Sequence, residues 1–384
     1  MAVPTVRREE VLAFRVRQHQ LDRPAASGAG PADVALLDYG VQDTGPDGAA
    51  WALALRGGPS GSLDDLALAW TLRGAPHAYR RSALWAVAVA TAPLSEADAA
   101  KRIFDAAKPL KAAGIPVLGA LRVIADHLRD IVTTPTVKGD ASTRLTALLD
   151  EPYLRACRPC GTTHAYEMPF RLAALHAGLE LEAGTSPPVL RRVPGLRPER
   201  YGRLAGEADA GTDVIRNHLR FYGPTRVGDV ARFLDAPVKE IKAHWPADAV
   251  EVAVADGASV GRAGVCFVLE ADLDALTGAR SGSAARTVRL LGPYDPYLQL
   301  RDRELLVADE QRRKDLWRVL GRPGAIVANG EILGTWRPRA SGRGFTVRID
   351  AWAPLDNGDR SQVEEQAERL AAHRGAVLTG VVEH

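Results

Sequence analysis

The chain has 384 residues, which is too long for one compact core, so we expect two to four units. Apolar residues make up 46% and charged residues 25%, a composition that is typical of a folded protein. No apolar run reaches the length of a membrane span, and the N-terminus lacks the apolar core of a signal peptide, which predicts a cytoplasmic protein without a membrane partner. Three cysteines exclude a disulfide framework. A net charge of +2 weakens the case for a nucleic-acid-binding protein without excluding it, because a chain with balanced charges can still have a basic face.

Residues 1–110 predict a first winged helix, with a degenerate pattern. Helices are expected over Glu9–Arg17 and Ala49–Arg56, separated by the apolar run Val34–Leu37 and the segment DYGVQDT. Two apolar segments are then expected to pair as strands around a turn at Arg73-Gly74-Ala75-Pro76. They are Leu66–Leu72 and His77–Arg80.

Residues 111–205 follow the same plan and predict a second winged helix. Helical spacing of apolar residues favours helices over Val117–Ile131, Ser142–Leu149 and Tyr166–His176, with a turn over Thr134–Gly139. Strands are expected around Leu179–Glu182 and Val189–Val193, and they flank a Gly- and Pro-rich segment that is typical of a wing.

Residues 206–280 show the clearest pattern. Asp213 is suited to cap a helix that ends at Tyr222-Gly223-Pro224. Helices over Val227–Leu234 and Val238–Trp245 follow, and then strands over Val250–Val254 and Val265–Leu269. Three short helices before a β-hairpin predict a winged helix-turn-helix.

Residues 281–384 predict a small β-rich module. Its strongest signal is Asn329-Gly330 between Ala325–Ala328 and Glu331–Trp336, which indicates a hairpin. Further strands are expected over Val288–Leu291 and Gly344–Ile349, with a helix over Gln362–Arg374. The predicted fold is therefore α+β, with three tandem winged helix-turn-helix units and a C-terminal β-rich module.

The second unit contains cysteines and a histidine at metal-ligand spacing. They are Cys157, Cys160 and His164. Two thiolates and an imidazole supply three of the four ligands that structural zinc requires. No fourth ligand is evident, so two interpretations stay open: a structural zinc site, or two buried thiols before a helix.

Five short motifs occur in one order along the chain. They are DYGVQDT at 38–44, Arg73-Gly74-Ala75-Pro76-His77, Tyr222-Gly223-Pro224, Tyr294-Asp295-Pro296-Tyr297-Leu298 with Arg301 to Arg303, and Gly334-Thr335-Trp336. Through these motifs the chain resembles the bacterial winged-helix family of the AlkZ- and YcaQ-type alkylpurine DNA glycosylases. The resemblance implies three winged helices in a C-shaped scaffold that holds duplex DNA.

The resemblance also implies a reaction, hydrolysis of the bond between deoxyribose and an N-alkylated purine, crosslinked purines included. Because that leaving group is already cationic, the site must hold a water and stabilise an oxocarbenium-like sugar, and no cofactor is required. The family carries glutamine, one residue, then glutamine or aspartate, which here places Gln42 as the water-positioning residue. Its partner has two candidates, the Thr44 hydroxyl and the Asp43 carboxylate one position early.

Basic residues near these motifs are the predicted DNA contacts. They are Arg73, Arg80, Arg81, Lys239 and Lys242. For each of them a solvated surface position is the alternative. His77 has two interpretations, a contact to phosphate or lesion and a hydrogen-bonded structural histidine. We expect duplex DNA as the partner of a monomeric protein.

Two features compete with this interpretation. Gln18-His19-Gln20 fits the glutamine-x-glutamine pattern literally, but no Leu-Trp-x-Arg-like run follows, so we interpret it as the polar end of a helix. Trp51, Trp70 and Trp85 are suited either to stacking on a flipped base or to core packing. The departure at Thr44 also fits a non-catalytic DNA-binding regulator or lesion sensor, and the near-zero net charge permits a role in protein contacts.

Overall fold

The structure is a computed structural model that describes residues 3–23, 33–58, 63, 66–159, 161–255, 265–279, 286–341 and 344–383. These residues form a mixed α+β fold, as the sequence predicts. Within these ranges, no helix has both the length and the apolar character needed to cross a membrane.

The α-helices are numbered along the chain. They are α1 (Arg8–Gln18), α2 (Gly48–Ala54), α3 (Leu84–Thr91), α4 (Glu96–Arg102), α5 (Ala107–Ala112), α6 (Val117–Ile131), α7 (Lys138–Thr146), α8 (Glu167–His176), α9 (Pro198–Tyr201), α10 (Val214–Tyr222), α11 (Val227–Leu234), α12 (Val238–Ala243), α13 (Leu273–Thr277), α14 (Arg303–Leu306), α15 (Glu310–Leu316) and α16 (Asn357–His373).

The strands are numbered in the same way. They are β1 (Thr5–Arg7), β2 (Val41–Gln42), β3 (Leu66–Trp70), β4 (Pro76–Arg80), β5 (Thr136–Val137), β6 (Leu154–Cys157), β7 (Thr162–Ala165), β8 (Leu179–Leu181), β9 (Val189–Arg192), β10 (Ala249–Ala255), β11 (Cys266–Leu269), β12 (Val288–Leu291), β13 (Gly324–Ala328), β14 (Glu331–Ser341), β15 (Gly344–Ala351) and β16 (Val377–Glu383).

A six-stranded sheet in the order β2-β4-β3-β8-β9-β5 joins the first and second thirds of the chain. β3 pairs antiparallel with β4, with Leu68 opposite Ala78, which confirms the predicted hairpin. β3 also pairs with β8, where Leu68 lies opposite Leu181. The sheet therefore crosses the predicted boundary at residue 110, and β2 with Gln42 lies at its edge.

The N-terminal strand and helix pack on the region of residues 206–280. β1 runs parallel to β10, and β10 pairs antiparallel with β11. Val6, Val11 and Phe14 share a buried cluster with Val252 and Val268. The sequence does not predict this contact, because a three-residue strand gives too weak a local signal to specify a distant partner.

Three helices, α10 to α12, precede the β10–β11 hairpin in the predicted order. The Asp213 side chain caps α10 by accepting hydrogen bonds from the N–H groups of Ile215 and Arg216, both at 2.8 Å. Asp235 ends α11 in a left-handed conformation with φ 54°, so the chain turns sharply into α12. Each predicted element of this region is confirmed.

The C-terminal sheet has the order β12-β13-β14-β15-β16, with α16 packed against β12 and β16. Asn329 and Gly330 have φ values of 48° and 91°, the pair of positive angles that a tight hairpin requires, so the predicted hairpin is confirmed. β16 runs parallel to β15. The sequence does not predict β16, because parallel pairing depends on the helical crossover between them.

The middle third differs from prediction in three places, one of which is the unpredicted helix α9. α7 begins at Lys138, inside the segment predicted as a turn, because Thr136 and Val137 pair with β9. β6 and β7 form a hairpin that follows no clear sequence signal. The division into four units at residues 110, 205 and 280 stays a prediction.

Candidate active site

Gln42 lies at the edge of the six-stranded sheet, at the end of β2. Its register partner on β4 is His77, and the N–H of Asp43 donates to the Pro76 carbonyl at 2.8 Å. Gln42 is only 9% exposed. Backbone pairing therefore fixes the direction of its side chain in a largely dry environment.

Two hydrogen bonds orient the Gln42 amide. Its Nε2 donates to Thr44 Oγ1 at 3.0 Å, and its Oε1 accepts from Arg73 Nη2 at 3.3 Å. Along an extended segment, residues two apart face the same side, which explains why Thr44 and not Asp43 meets Gln42. An amide oxygen has two lone pairs, so Oε1 is able to accept a further hydrogen bond from water.

Asp43 contacts a different element. Its Oδ1 accepts a hydrogen bond from the Ala49 N–H, in the first turn of α2, at 2.9 Å. Gly48 has φ 40°, and a Cβ there would lie 2.0 Å from Asp43 Oδ1, so this approach requires glycine. Burial raises the pKa of Asp43, and the bond from Ala49 opposes that rise. One oxygen of Asp43 thus holds the start of α2.

Arg73 reaches Gln42 from the turn between β3 and β4. It has a left-handed φ of 57°, and the Gly74 that follows has φ 67°. Its Nη1 donates to the Phe233 carbonyl at 3.3 Å, and its Cζ lies 4.2 Å from the centre of the Phe233 ring. Burial lowers the pKa of Arg73, and the charge of Arg301 lowers it further. In the described part of the chain, no carboxylate pairs with this guanidinium.

His77 is a buried neighbour of Gln42. Its side chain is 2% exposed, and its Nδ1 lies 2.9 Å from the Ala75 carbonyl oxygen and 3.2 Å from Thr71 Oγ1. Burial, and then the charge of Arg73, lowers the pKa of His77 to about 3, so the ring is neutral at neutral pH. Of its two interpretations, this geometry favours the structural histidine.

Arg80 and Arg81 both form ion pairs. Arg80 pairs with Asp38, which Arg220 also contacts at 2.9 Å. Arg81 pairs at 2.7 Å with Glu180 of β8 and so ties the first hairpin to the second. Because acidic partners compensate both charges, the geometry favours a structural use, and their contacts to DNA stay predictions.

Lys239 and Lys242 lie three residues apart on α12, so they share one face of that helix. Both are exposed. Neither forms an ion pair with a residue that the structure describes. Their charges are therefore available to a negatively charged partner, as the DNA-binding prediction requires.

The Gln18-His19-Gln20 segment holds α1 in place. Gln18 donates to Asp272 Oδ1 at 3.3 Å, and Gln20 Oε1 accepts from the Ala35 N–H at 2.8 Å. His19 is fully buried, and burial holds its pKa well below the usual range. These contacts agree with the non-catalytic interpretation, although His19 and Gln20 are buried and do not form a polar surface.

The helix that follows the Gln42 segment is fixed to the C-terminal sheet. Trp51 Nε1 donates to a carbonyl of β12 at 2.8 Å. Arg56 forms a two-armed pair with Asp295, at 2.8 and 2.9 Å, and both side chains are fully buried. Trp51 and Trp70 are buried, which confirms core packing, whereas Trp85 is 41% exposed. The sequence contains no local signal that pairs Arg56 with Asp295, because the two residues are 239 positions apart.

A small cleft opens beside Thr44, with an internal volume of about 10 Å³, roughly enough for one water molecule. The start of α2 lines one wall, and the segment from Gly292 to Asp295 lines the other. The Cζ of Arg322 lies 4.8 Å from the centre of the Tyr294 ring, which belongs to that second wall. The second wall of the cleft thus contacts Arg322 of the C-terminal region, a residue that lies in none of the five motifs.

Only part of the predicted zinc site is described. Cys157 is buried at the end of β6, His164 lies in β7, and Cys160 lies outside the described residues. Hydrogen bonds to the Ala165 carbonyl and to Cys157 raise the pKa of His164. No group of three or more His, Cys, Asp or Glu residues within the described ranges forms a metal site. The zinc site stays a prediction.

Residues 39–373 match the family model described as AlkZ-like, DNA glycosylase AlkZ-like. Among solved structures, the chain is similar to the Streptomyces sahachiroi DNA glycosylase AlkZ, with a TM-score of 0.68, 19% identity, and coverage of 98% of this chain and 99% of that chain. No curated protein matches. The structural likeness shows a shared fold. The residues that match the family model include the Gln42 segment and Arg322.

Proposed function

The chain belongs to the AlkZ-like family of DNA repair glycosylases, and from that premise we propose that it removes N-alkylated purines, crosslinked purines included, from duplex DNA. One observation carries the assignment of the site. Thr44 and Arg73 orient the Gln42 amide, and Oε1 keeps a second lone pair that is able to accept from water, while Thr44 itself borders the cleft. This is the arrangement that a water-positioning amide requires.

In the proposed reaction, the water oxygen forms a bond to C1′ of deoxyribose and the bond between C1′ and the purine nitrogen breaks. The bonding electron pair passes to the purine ring and neutralises the positive charge that alkylation introduced. The water gives up a proton to solvent. Because the purine leaves as a neutral molecule, no residue has to protonate it, and Gln42 acts by holding the water.

Thr44 and Asp43 have different roles in this proposal. Thr44 accepts the Gln42 Nε2–H and so keeps Oε1 turned toward the water. Asp43 is a positioning residue, because its Oδ1 holds the Ala49 N–H of α2. In the alternative, the Asp43 carboxylate holds the water, and the substitutions Asp43→Asn and Thr44→Val separate the two roles.

The scaffold proposed around this site has three winged-helix units, at residues 1–110, 111–205 and 206–280, and a β-rich module at 281–384. Support comes from the order of α10, α11, α12, β10 and β11 and from the hairpins β3–β4 and β8–β9. We propose that the units enclose duplex DNA in a C shape. Lys239 and Lys242 on α12 would contact phosphates, and Arg73 would contact the nucleotide held at Gln42.

Release of N7-methylguanine from an alkylated duplex, measured under single-turnover conditions, tests this function. Gln42→Ala is expected to lower the rate by about 100-fold, the typical loss when one preorganised hydrogen-bonding group is removed. Gln18→Ala, in the segment that also fits the family pattern, is the matched control and should keep the wild-type rate. Equal release by wild type and Gln42→Ala contradicts the role of Gln42, and no release from any alkylated or crosslinked duplex contradicts the enzyme.

A non-catalytic DNA-binding protein is the second candidate. The observation that favours it is Thr44, a hydroxyl where the resembling family has an amide or a carboxylate, while Asp43 is engaged with α2. Such a protein retards the duplex in a gel but leaves no abasic sites open to alkaline cleavage. A glycosylase produces both signals.

We propose that the reaction needs no cofactor and that the protein acts as a monomer. Excess EDTA should then leave the rate of base release unchanged, and sedimentation equilibrium should give the mass of one chain. A structural zinc ion at Cys157, Cys160 and His164 would appear as one equivalent of zinc in the purified protein, whereas its absence there contradicts the zinc proposal.

A further inference from the structure

Four arginines form a group beside the Gln42 site. They are Arg73, Arg301, Arg303 and Arg322, and we call them the arginine cluster. Each side chain is half-buried. None forms an ion pair within the described part of the chain. Arg73 contacts Gln42, and Arg322 lies over Tyr294 in the cleft wall. The charge of Arg301 acts on Arg73, Arg303 and Arg322, so Arg301 lies near all three.

Three of these guanidinium groups lie over aromatic rings. Arg303 lies 4.9 Å from the centre of the Trp317 ring, and Arg73 and Arg322 lie similarly over Phe233 and Tyr294. A stacked guanidinium keeps its N–H donors at its edge, free for a planar acceptor. The Nε atoms of Arg301 and Arg303 are buried and lack a hydrogen-bond partner among the described residues.

The cluster concentrates positive charge that no ion pair within the described residues compensates. Burial, and then the charges of Arg301 and Arg322, lowers the pKa of Arg303 to about 10. Asp302 pairs with Arg15 at 2.6 Å, Asp295 pairs with Arg56, and the charge of Asp235 acts on Arg73 without forming an ion pair with it. Half-buried like charges with unsatisfied donors lower the stability of the folded protein in the absence of a ligand, and an anionic ligand would relieve this cost.

We propose that the arginine cluster binds one phosphodiester group of the DNA backbone, next to the nucleotide whose glycosidic bond lies at Gln42. The identity of that nucleotide rests on the proposed function. Arginine forks match phosphate oxygens in pairs, and Arg73 joins the bound phosphate to the catalytic amide. The phosphate also has a chemical consequence: it neutralises a guanidinium that would otherwise oppose the developing oxocarbenium cation.

The test measures equilibrium binding, without catalysis. The probe is a duplex with one central tetrahydrofuran abasic analogue, in which single phosphates on either side are replaced in turn by uncharged methylphosphonate. The proteins are wild type, Arg301→Gln, Arg303→Gln and, as the matched control, Arg348→Gln, an exposed arginine of β15 in the same C-terminal region.

We expect one methylphosphonate position to weaken wild-type binding by about 10-fold, the effect of losing one good charged contact. Arg301→Gln should weaken binding to the unmodified duplex by a similar factor and show no further loss at that position. Its slope of log affinity against log salt should fall by about 0.9, the value for one phosphate contact. Arg348→Gln should keep the wild-type pattern. Independent, additive losses at every position overturn the proposal.

Stability measurements separate binding from folding. Arg301→Gln removes one charge from a group of like charges, so its Tm should equal or exceed that of wild type; a clear fall in Tm together with unchanged DNA binding overturns the proposal. Arg301→Lys keeps the charge and should retain the position-specific loss in part. If the protein releases no alkylated base but Arg301→Gln and one methylphosphonate position still cause the same, non-additive loss of binding, only the proposed function is refuted. If the enzyme is active but these two losses are additive, only the proposed phosphate site is refuted.

Discussion

Two substitutions at Asp43 separate a structural carboxylate from a catalytic one. The Oδ1 of Asp43 accepts the Ala49 N–H at 2.9 Å. Asp43→Asn keeps the shape and an acceptor oxygen but removes the charge, whereas Asp43→Ala removes both. Thr44→Val, which deletes the hydroxyl that holds Gln42, completes the comparison.

The expected stability changes follow from the Ala49 hydrogen bond and from the pKa. Loss of the hydrogen bond to the Ala49 N–H costs about 1 kcal/mol, so Asp43→Ala should be less stable than Asp43→Asn by that amount. Burial raises the pKa of Asp43 above its unfolded value. Its protonation therefore favours folding at low pH, and this contribution is lost as pH rises through the folded pKa. At pH 7 Asp43→Asn escapes the cost of burying a charge and should equal or exceed wild type in stability.

Urea unfolding and single-turnover release of N7-methylguanine measure the two roles on the same variants. If Asp43 is a positioning residue, the single-turnover rate of Asp43→Asn should stay within about threefold of wild type. The rate of Thr44→Val should fall by up to about 10-fold, the effect of losing one hydrogen bond. A loss of 100-fold or more in Asp43→Asn with unchanged stability would refute this reasoning and make the carboxylate the group that holds the water.

Two further predictions concern stability. Asp295→Ala should cost about 3–5 kcal/mol in urea unfolding, because it leaves the fully buried Arg56 without its partner, whereas Lys314→Ala at an exposed pair should change little; a small effect of Asp295→Ala contradicts the importance of the pair. His218 is buried, and burial followed by nearby arginine charges lowers its pKa to about 3, so its contribution is complete above about pH 6.5 and is lost as pH falls toward 3. Between pH 6.5 and pH 5, the free energy of unfolding of His218→Gln should therefore fall by about 1.5 kcal/mol less than that of wild type. If the free energies of unfolding of the two proteins depend on pH in the same way, the lowered pKa is contradicted.

Local patterns predicted the local elements of the fold. α6 has the bounds that the sequence predicts, because Val117, Leu121, Ile124 and Leu128 recur at helical spacing and all become buried. The β13–β14 hairpin follows from one dipeptide with a specific backbone requirement. The parallel pairs β1–β10 and β15–β16 could not be predicted, because each depends on chain segments brought together by the rest of the fold.

The candidate site divides in the same way. Gln42 and Arg73 are recognisable in the sequence because each lies within a motif. The partner of Gln42 is not, because the choice between Asp43 and Thr44 depends on which side of the chain each residue faces after β2 ends. Arg301 also lies within a motif, but its proximity to Arg73 depends on how the C-terminal region packs against the first hairpin.

The position of Thr44 makes a final prediction possible. Thr44 faces the same side as Gln42 and borders the cleft, so Thr44→Gln restores the family's glutamine-x-glutamine pattern on the side that Gln42 faces. A second amide oxygen would add an acceptor for the water, and we expect at least a 10-fold increase in the single-turnover rate.

Asp43→Gln is the matched control, because it places the same amide on the other side of the chain and should not raise the rate. If Thr44→Gln releases base no faster than wild type while Thr44→Val loses rate, the threonine hydroxyl already supplies what the second position contributes. If neither variant changes the rate, the water is held by Gln42 alone, and the spacing of the two residues has no catalytic meaning in this chain.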